Sequence, residues 1–235
     1  MGINTRTPIN PFILSPETSD LKELYPDSSS LKDIYTKINF TERLGIIRLW
    51  MTEGIPYAFK EHPLLYEEIR DFIAKGVNVH TKDVTIVGSA RIGYSLSKDE
   101  WGRLFNNKSD FDFTIVSNDL YKTIVNEFQK WVKDLELKRI SPKDFNEMSV
   151  WLNNIKYLDK KIPTGFIQLK FIPYHPNYSS VKKCYDTIWL LKKKLEFTHT
   201  APRVSDASIR IYSSWKACIN QLRINFNSAL NLWSK

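Results

Sequence analysis

What most constrains the folding of this 235-residue chain is the stretch Val84–Val116, VTIVGSARIGYSLSKDEWGRLFNNKSDFDFTIV. Two short apolar runs of strand type, Val84–Val87 and Phe113–Val116, bracket it. The first runs straight into Gly88-Ser89, and the second is entered through Ser109-Asp110-Phe111-Asp112. Side chains alternate along a strand, so Asp110 and Asp112 project from one face and Phe111 from the other. Two carboxylates that close repel each other, and a fold tolerates the pair where a cation neutralises it or solvent screens it. Mg2+ or Mn2+ suits such a pair, because a hard ion takes oxygen ligands and shares its remaining positions with phosphates. Gly88 allows the backbone to approach an anion, Ser89 adds a hydroxyl, and a helix starting near Ala90 would direct free N–H groups at the same anion.

Each piece alone has a plainer reading. A Gly-Ser after a strand is an ordinary turn, and a lone D-x-D is a solvated strand edge. In this order, with both flanks of strand type, the pattern resembles the core motif of the DNA polymerase β-like nucleotidyltransferases: an apolar strand, Gly-Ser, a short helix, then a strand bearing Asp-x-Asp. The resemblance implies an α+β fold, a nucleotidyltransferase-type mixed sheet flanked by helices. It also implies that Gly88 and Ser89 hold a nucleoside triphosphate, and that Asp110 and Asp112 are catalytic and bind Mg2+ or Mn2+. Two departures stand out. Ser95–Lys108 forms an additional polar loop around Trp101-Gly102, expected beside the metal site. A third carboxylate belongs on a later strand; the best later strand is Gly165–Ile172, where the corresponding position holds Gln168.

Around this centre the chain divides into an arm, a core and a tail. Residues 1–30 carry Pro8, Pro11, Pro16, Pro26 and a triple serine, and read as an extended N-terminal arm with Phe12, Ile13 and Leu14 available to dock. Residues 31–176 form the core. Helical spacing is found at Leu31–Ile38, at Thr41–Met51 with Thr41 as the cap, after Pro63 with Gly76 closing the helix, and over Leu120–Leu137. Residues 177–235 read as a basic, helical C-terminal subdomain, in which Ser205-Asp206 would cap a helix and Trp215, Ile219, Leu222 and Phe226 form a packing stripe. Lys182, Lys183 and Lys192–Lys194 form a basic run that reads as a solvated face or, through Lys192, as a hold on a triphosphate. Arg91, two residues past Ser89, is a further phosphate-binding candidate, with a surface pair as its plainer reading.

Other chemistries find no pattern here. The four histidines are scattered, and neither G-x-x-x-x-G-K-[ST] nor G-x-G-x-x-G occurs. Cys184 and Cys218 have no metal-ligand spacing and suggest a reducing, cytoplasmic setting. No apolar run approaches a membrane span. The net charge of +8 favours polyanionic partners or serves solubility.

The expectation is therefore a metal-dependent enzyme that transfers a nucleoside monophosphate to a hydroxyl on an oligonucleotide end or a protein, releasing pyrophosphate. By analogy with small prokaryotic members of that family, its setting would be anti-phage defence or a toxin–antitoxin pair, with a cognate effector or antitoxin protein as partner. The alternative is a catalytically weak, nucleotide- or nucleic-acid-binding regulatory subunit, which Gln168 favours and the intact Gly-Ser with Asp-x-Asp disfavours.

Overall fold

The computed structural model describes residues 14–232. Their architecture is α+β, a four-stranded mixed sheet flanked by helices. Of the arm expected over residues 1–30, Phe12 and Ile13 lie outside the described residues. The remainder includes a helical turn, α1 (Pro16–Ser19), and the start of α2 (Ser28–Lys37), so it is not extended throughout. Asp27 caps α2, accepting from the Ser29 and Ser30 N–H groups and from both hydroxyls; these bonds hold its carboxyl well below the usual carboxylate range.

Helix α3 (Phe40–Thr52) begins at a capping box in which Asn39 and Glu42 satisfy each other's backbone donors; Asn39, rather than Thr41, is the cap. Helix α4 (Pro63–Val77) has Pro63 at its first position and ends on Asn78 in the left-handed region. Gly76 therefore does not close it. A Cβ there would collide with Thr187, so the glycine instead allows α8 (Ser179–Phe197) to approach α4.

The strands are β1 (Val84–Val87), β2 (Asp110–Val116), β3 (Phe166–Gln168) and β4 (Asp206–Tyr212), in the spatial order β1-β2-β4-β3. Strand β1 runs antiparallel to β2, β2 parallel to β4, and β4 antiparallel to β3. The one-turn helix α5 (Ser89–Ile92) follows β1, while α6 (Asn118–Glu136) and α7 (Phe145–Lys161) follow β2. Two expectations need correction here. The stretch Gly165–Ile172 is a strand only over Phe166–Gln168, then coils into a 3-10 turn. The segment Ala201–Tyr212, read as the approach to a helix, contains β4, the neighbour of the Asp-x-Asp strand. In β4 Ala207, Ile209 and Ile211 are buried, alternating with Ser208 and Arg210. That period of two prevails over the capping signal at Ser205-Asp206. The C-terminal segment thus supplies an inner strand of the sheet as well as helices α8 and α9 (Trp215–Ala229).

Alternation along β2 explains the layering. Phe111, Phe113 and Ile115 are fully buried in the main core with Ile73 of α4, Ile124, Phe128 and Trp131 of α6, and Val181 and Cys184 of α8. On the opposite face Val116 packs with Phe166, Tyr212 and Cys218, roofed by α9. Burial pushes both thiols up to about 12, so Cys184 and Cys218 behave as core residues rather than nucleophiles. A second cluster joins Leu31 and Tyr35 of α2 and Ile47 and Met51 of α3 to Ile92 and to Phe226 of α9.

Candidate functional site

Antiparallel pairing sets Val87 opposite Asp112. The chain leaves β1 at the point where the carboxylates enter β2, so the Gly-Ser turn and the Asp pair meet. Gly88 adopts φ 75°, ψ −150°, a conformation open in practice only to glycine. A Cβ on it would sit 3.3 Å from Asp112 Oδ2, so Gly88 also admits that carboxylate to the turn. No hydrogen-bond partner for the Ser89 N–H or hydroxyl is found among the described residues. With only four residues, α5 contributes individual N–H donors rather than a macrodipole.

A cavity of about 480 Å³ opens here, lined by Gly88, Ser89, Asp110 and Asp112. Arg210 of β4 lines it too, with Asn225 and Phe226 of α9 forming a side. The remaining wall is the expected polar loop, a small hairpin in which the Ser95 N–H donates to Arg103 O at 2.8 Å and the Phe105 N–H to Gly93 O at 2.8 Å. Trp101 fixes the loop edge-on against Phe226, with ring centroids 5.4 Å apart. This loop brings Ser95, Ser97, Lys98, Arg103 and Lys108 to the cavity. Four cations (Lys98, Arg103, Lys108, Arg210) and three carboxylates (Glu100, Asp110, Asp112) therefore face one space.

The carboxylates are held unequally. Asp110 is exposed, and its Oδ1 accepts from the Ser205 hydroxyl at 2.5 Å. Asp112 is half-buried; its Oδ1 accepts from the Ser208 hydroxyl at 2.9 Å and forms an ion pair with Arg210 Nη2 at 2.9 Å. The second oxygen of each has no protein partner among the described residues. No group of three or more His, Cys, Asp or Glu side chains is placed to share a metal ion among those residues. Two carboxylate oxygens without a protein partner, on residues that line a cavity of about 480 Å³, suit one divalent ion whose remaining positions go to phosphate and water.

The other candidates lie elsewhere. Arg91 is buried and turns away from the cavity. Its Nη1 donates to Gly54 O at 2.6 Å and its Nε to Trp50 O at 3.2 Å, so it ties the end of α3 to the Gly-Ser turn. Burial pulls its pKa below the ordinary arginine value, and its side chain does not line the cavity. Lys192 pairs with Asp206 Oδ1 at 2.6 Å, outside the cavity lining, although Asp206 is the ladder partner of Asp110. Gln168 sits on β3, separated from β2 by β4 and in register with Arg210, so it is not the third-ligand position. The residue in register with Asp112 is Ser208. Sequence alone does not mark Ser205, Ser208 and Arg210, because Ser205-Asp206 reads as a helix cap; the alternation A-S-I-R-I-Y is the signal of the strand that carries them.

Comparison with known proteins yields no matching family model, no matching curated protein and no matching solved structure. Among the described residues, no helix is long and apolar enough to cross a membrane.

Proposed function

We propose that this protein is a metal-dependent nucleotidyltransferase with a nucleotidyltransferase-type fold, acting on a nucleoside triphosphate. The observation that carries the reading is the convergence of the Gly88-Ser89 turn and the Asp110/Asp112 pair on one basic cavity. Gly88 permits a phosphate to reach the backbone, and the Ser89 N–H and hydroxyl bind its oxygens. Lys98, Arg103 and Lys108 offset the remaining phosphate charge. Asp110 Oδ2 and Asp112 Oδ2 would hold Mg2+ or Mn2+, which supplies charge stabilisation at the α-phosphate and the leaving pyrophosphate. Ser205 and Ser208 hold Oδ1 of each aspartate, which fixes the two carboxylates and leaves each Oδ2 without a protein partner before substrate arrives.

The acceptor belongs to the same reading. The cavity is open and its loop wall carries exposed cations, which favours a hydroxyl on an oligonucleotide end or a protein over a compact metabolite. Anti-phage defence or a toxin–antitoxin pair in the cytoplasm, with a cognate effector or antitoxin, is the biological setting that the sequence resemblance favours. The ion pair from Arg210 to Asp112 supports a second reading, a regulatory subunit that binds nucleotide or nucleic acid without turnover, because it occupies an oxygen that a catalytic metal would otherwise use.

Incubating the protein with each ribo- and deoxynucleoside triphosphate and Mg2+ or Mn2+, with mass spectrometry of products and of intact protein, separates the readings. Nucleotide increments on protein or a ladder of oligomers support transfer. Binding without either product supports the regulatory reading, and absence of both binding and product overturns the two together.

A further inference from the structure

Every oxygen of the aspartate pair can be assigned. Oδ1 of each is taken up within the protein, by Ser205 on Asp110 and by Ser208 and Arg210 on Asp112. Only the two Oδ2 atoms are left, enough to anchor a single ion with help from phosphate. A second ion beside the first would need Asp112 Oδ1 as a bridge and a further carboxylate from the adjacent strand. The adjacent strand is β4, and the residue facing Asp112 there is Ser208, a neutral hydroxyl. Two residues further along the same face is Arg210, which already places a positive charge 2.9 Å from the bridging oxygen. The guanidinium lines the cavity with its side chain partly exposed, and apart from the Nη2 contact with Asp112 its Nη donors are bonded to no described residue, which leaves them for an incoming anion.

We infer that Arg210 takes the place of a second metal ion, so that the site holds one divalent cation and one guanidinium. This inference rests on the nucleotidyltransferase reading and specifies its site. The electrostatics make the two cations exclusive: a second divalent ion on Asp112 Oδ1 would lie at contact distance from a permanently charged guanidinium, with no carboxylate opposite Asp112 on β4 to offset the repulsion and with Glu100 already paired to Arg103 at 3.0 Å. Arg210 also differs from a metal in what it can do. It neutralises Asp112 and donates to a phosphate oxygen, but it offers no coordination position for the acceptor oxygen, so the acceptor is oriented by the protein and by the single ion.

The test counts bound Mn2+ by electron paramagnetic resonance, using the full chain and nucleoside triphosphate analogues with a methylene bridge between the α and β phosphorus atoms. The expected result is one Mn2+ per chain, with no dipolar coupling between manganese ions. Two coupled ions in the wild-type protein overturn this inference and leave the nucleotidyltransferase reading standing. No bound Mn2+ and no bound analogue overturn both. Arg210→Gln should weaken analogue binding several-fold. The double variant Ser208→Asp, Arg210→Gln should bind two Mn2+, because it supplies the carboxylate opposite Asp112 and removes the competing charge. A folded double variant that still binds one ion refutes Arg210 as the limit on the count. The wild-type count decides the matter even if neither variant folds.

Discussion

Two arginines flank the Gly88-Ser89 turn, and their partners assign them opposite jobs. Arg91 is 4% exposed and bound to the neutral carbonyls of Trp50 and Gly54. Arg210 lines the cavity, partly exposed and paired with a carboxylate through Nη2 alone. A buried guanidinium anchored to backbone carbonyls is costly to move, because displacing it would strand those acceptors. A guanidinium paired with a half-exposed carboxylate can transfer part of its bonding to an arriving phosphate at little cost. Proximity to a phosphate-like turn in sequence therefore says less about function than the chemistry of the partners. Arg91 is two residues from Ser89 and structural, whereas Arg210 is far away in the chain and faces the site.

The sharpest way to break this contrast is at the shared carboxylate. Asp112→Ala should lower nucleotidyl transfer by ~10²-fold or more, since it removes both an ion ligand and the partner of Arg210. The fold should survive, because relief of repulsion with Asp110 offsets the loss of the Arg210 pair. Measurement of product yield beside a thermal melt checks both halves; an active variant would remove the central claim. Next in size, Arg91→Met should cost about 2–4 kcal/mol of stability, from the unsatisfied carbonyls at the end of α3, while triphosphate affinity per folded molecule stays within error. Denaturant titration and a binding isotherm on the folded fraction test it, and a selective loss of affinity would return Arg91 to the site.

The same contrast explains what could be read in advance. The Val84–Val116 unit was legible because its signals are local: two apolar runs, a glycine that must take a positive φ, and alternation that puts both aspartates on one face. The layering of α4, α6 and α8 on Phe111, Phe113 and Ile115 follows from helical spacing as well. What was lost is non-local. Strand β4 pairs with β2 from almost a hundred residues away, as the Ser205–Asp110 hydrogen bond shows, and nothing within Ser205–Tyr212 announces its neighbour. A Ser-Asp pair ahead of a short apolar run fits a helix cap as well as a strand entry. With β4 read as a helix, Gln168 of β3 is the strand residue left to stand beside the aspartates, whereas Ser208 and Arg210 of β4 hold that place.

The turn itself offers a test of intermediate size. Gly88→Ala forces a side chain into φ 75°, ψ −150° and within 3.3 Å of Asp112 Oδ2, so stability should fall by about 1–3 kcal/mol, with triphosphate binding lost as the carboxylate is displaced. Ser89→Ala should be milder, weakening triphosphate affinity by ~1 kcal/mol for one hydrogen bond to a charged group. If calorimetry gives equal affinities for wild type and Ser89→Ala, the hydroxyl faces something other than phosphate.

The smallest effect belongs to the lysine outside the cavity. Burial pushes the Asp206 carboxyl up, but the Lys192 ammonium and the Ala207 N–H outweigh it, leaving Asp206 below its ordinary value. A carboxylate with a depressed folded-state pKa contributes stability that is present above its ordinary pKa and lost as pH falls through the folded-state value. The pair is partly exposed, so its worth is only a few tenths of a kcal/mol (~0.3–0.5). Lys192→Met should thus lower the melting temperature slightly near neutral pH, and the gap to wild type should close on acidification below the ordinary aspartate range. Added salt should shrink it as well. Transfer activity should be unchanged, because Lys192 does not line the cavity. A marked loss of triphosphate affinity in Lys192→Met, with the melting gap insensitive to pH, would mean that α8 reaches the substrate and that Asp206 is not its partner when nucleotide is bound.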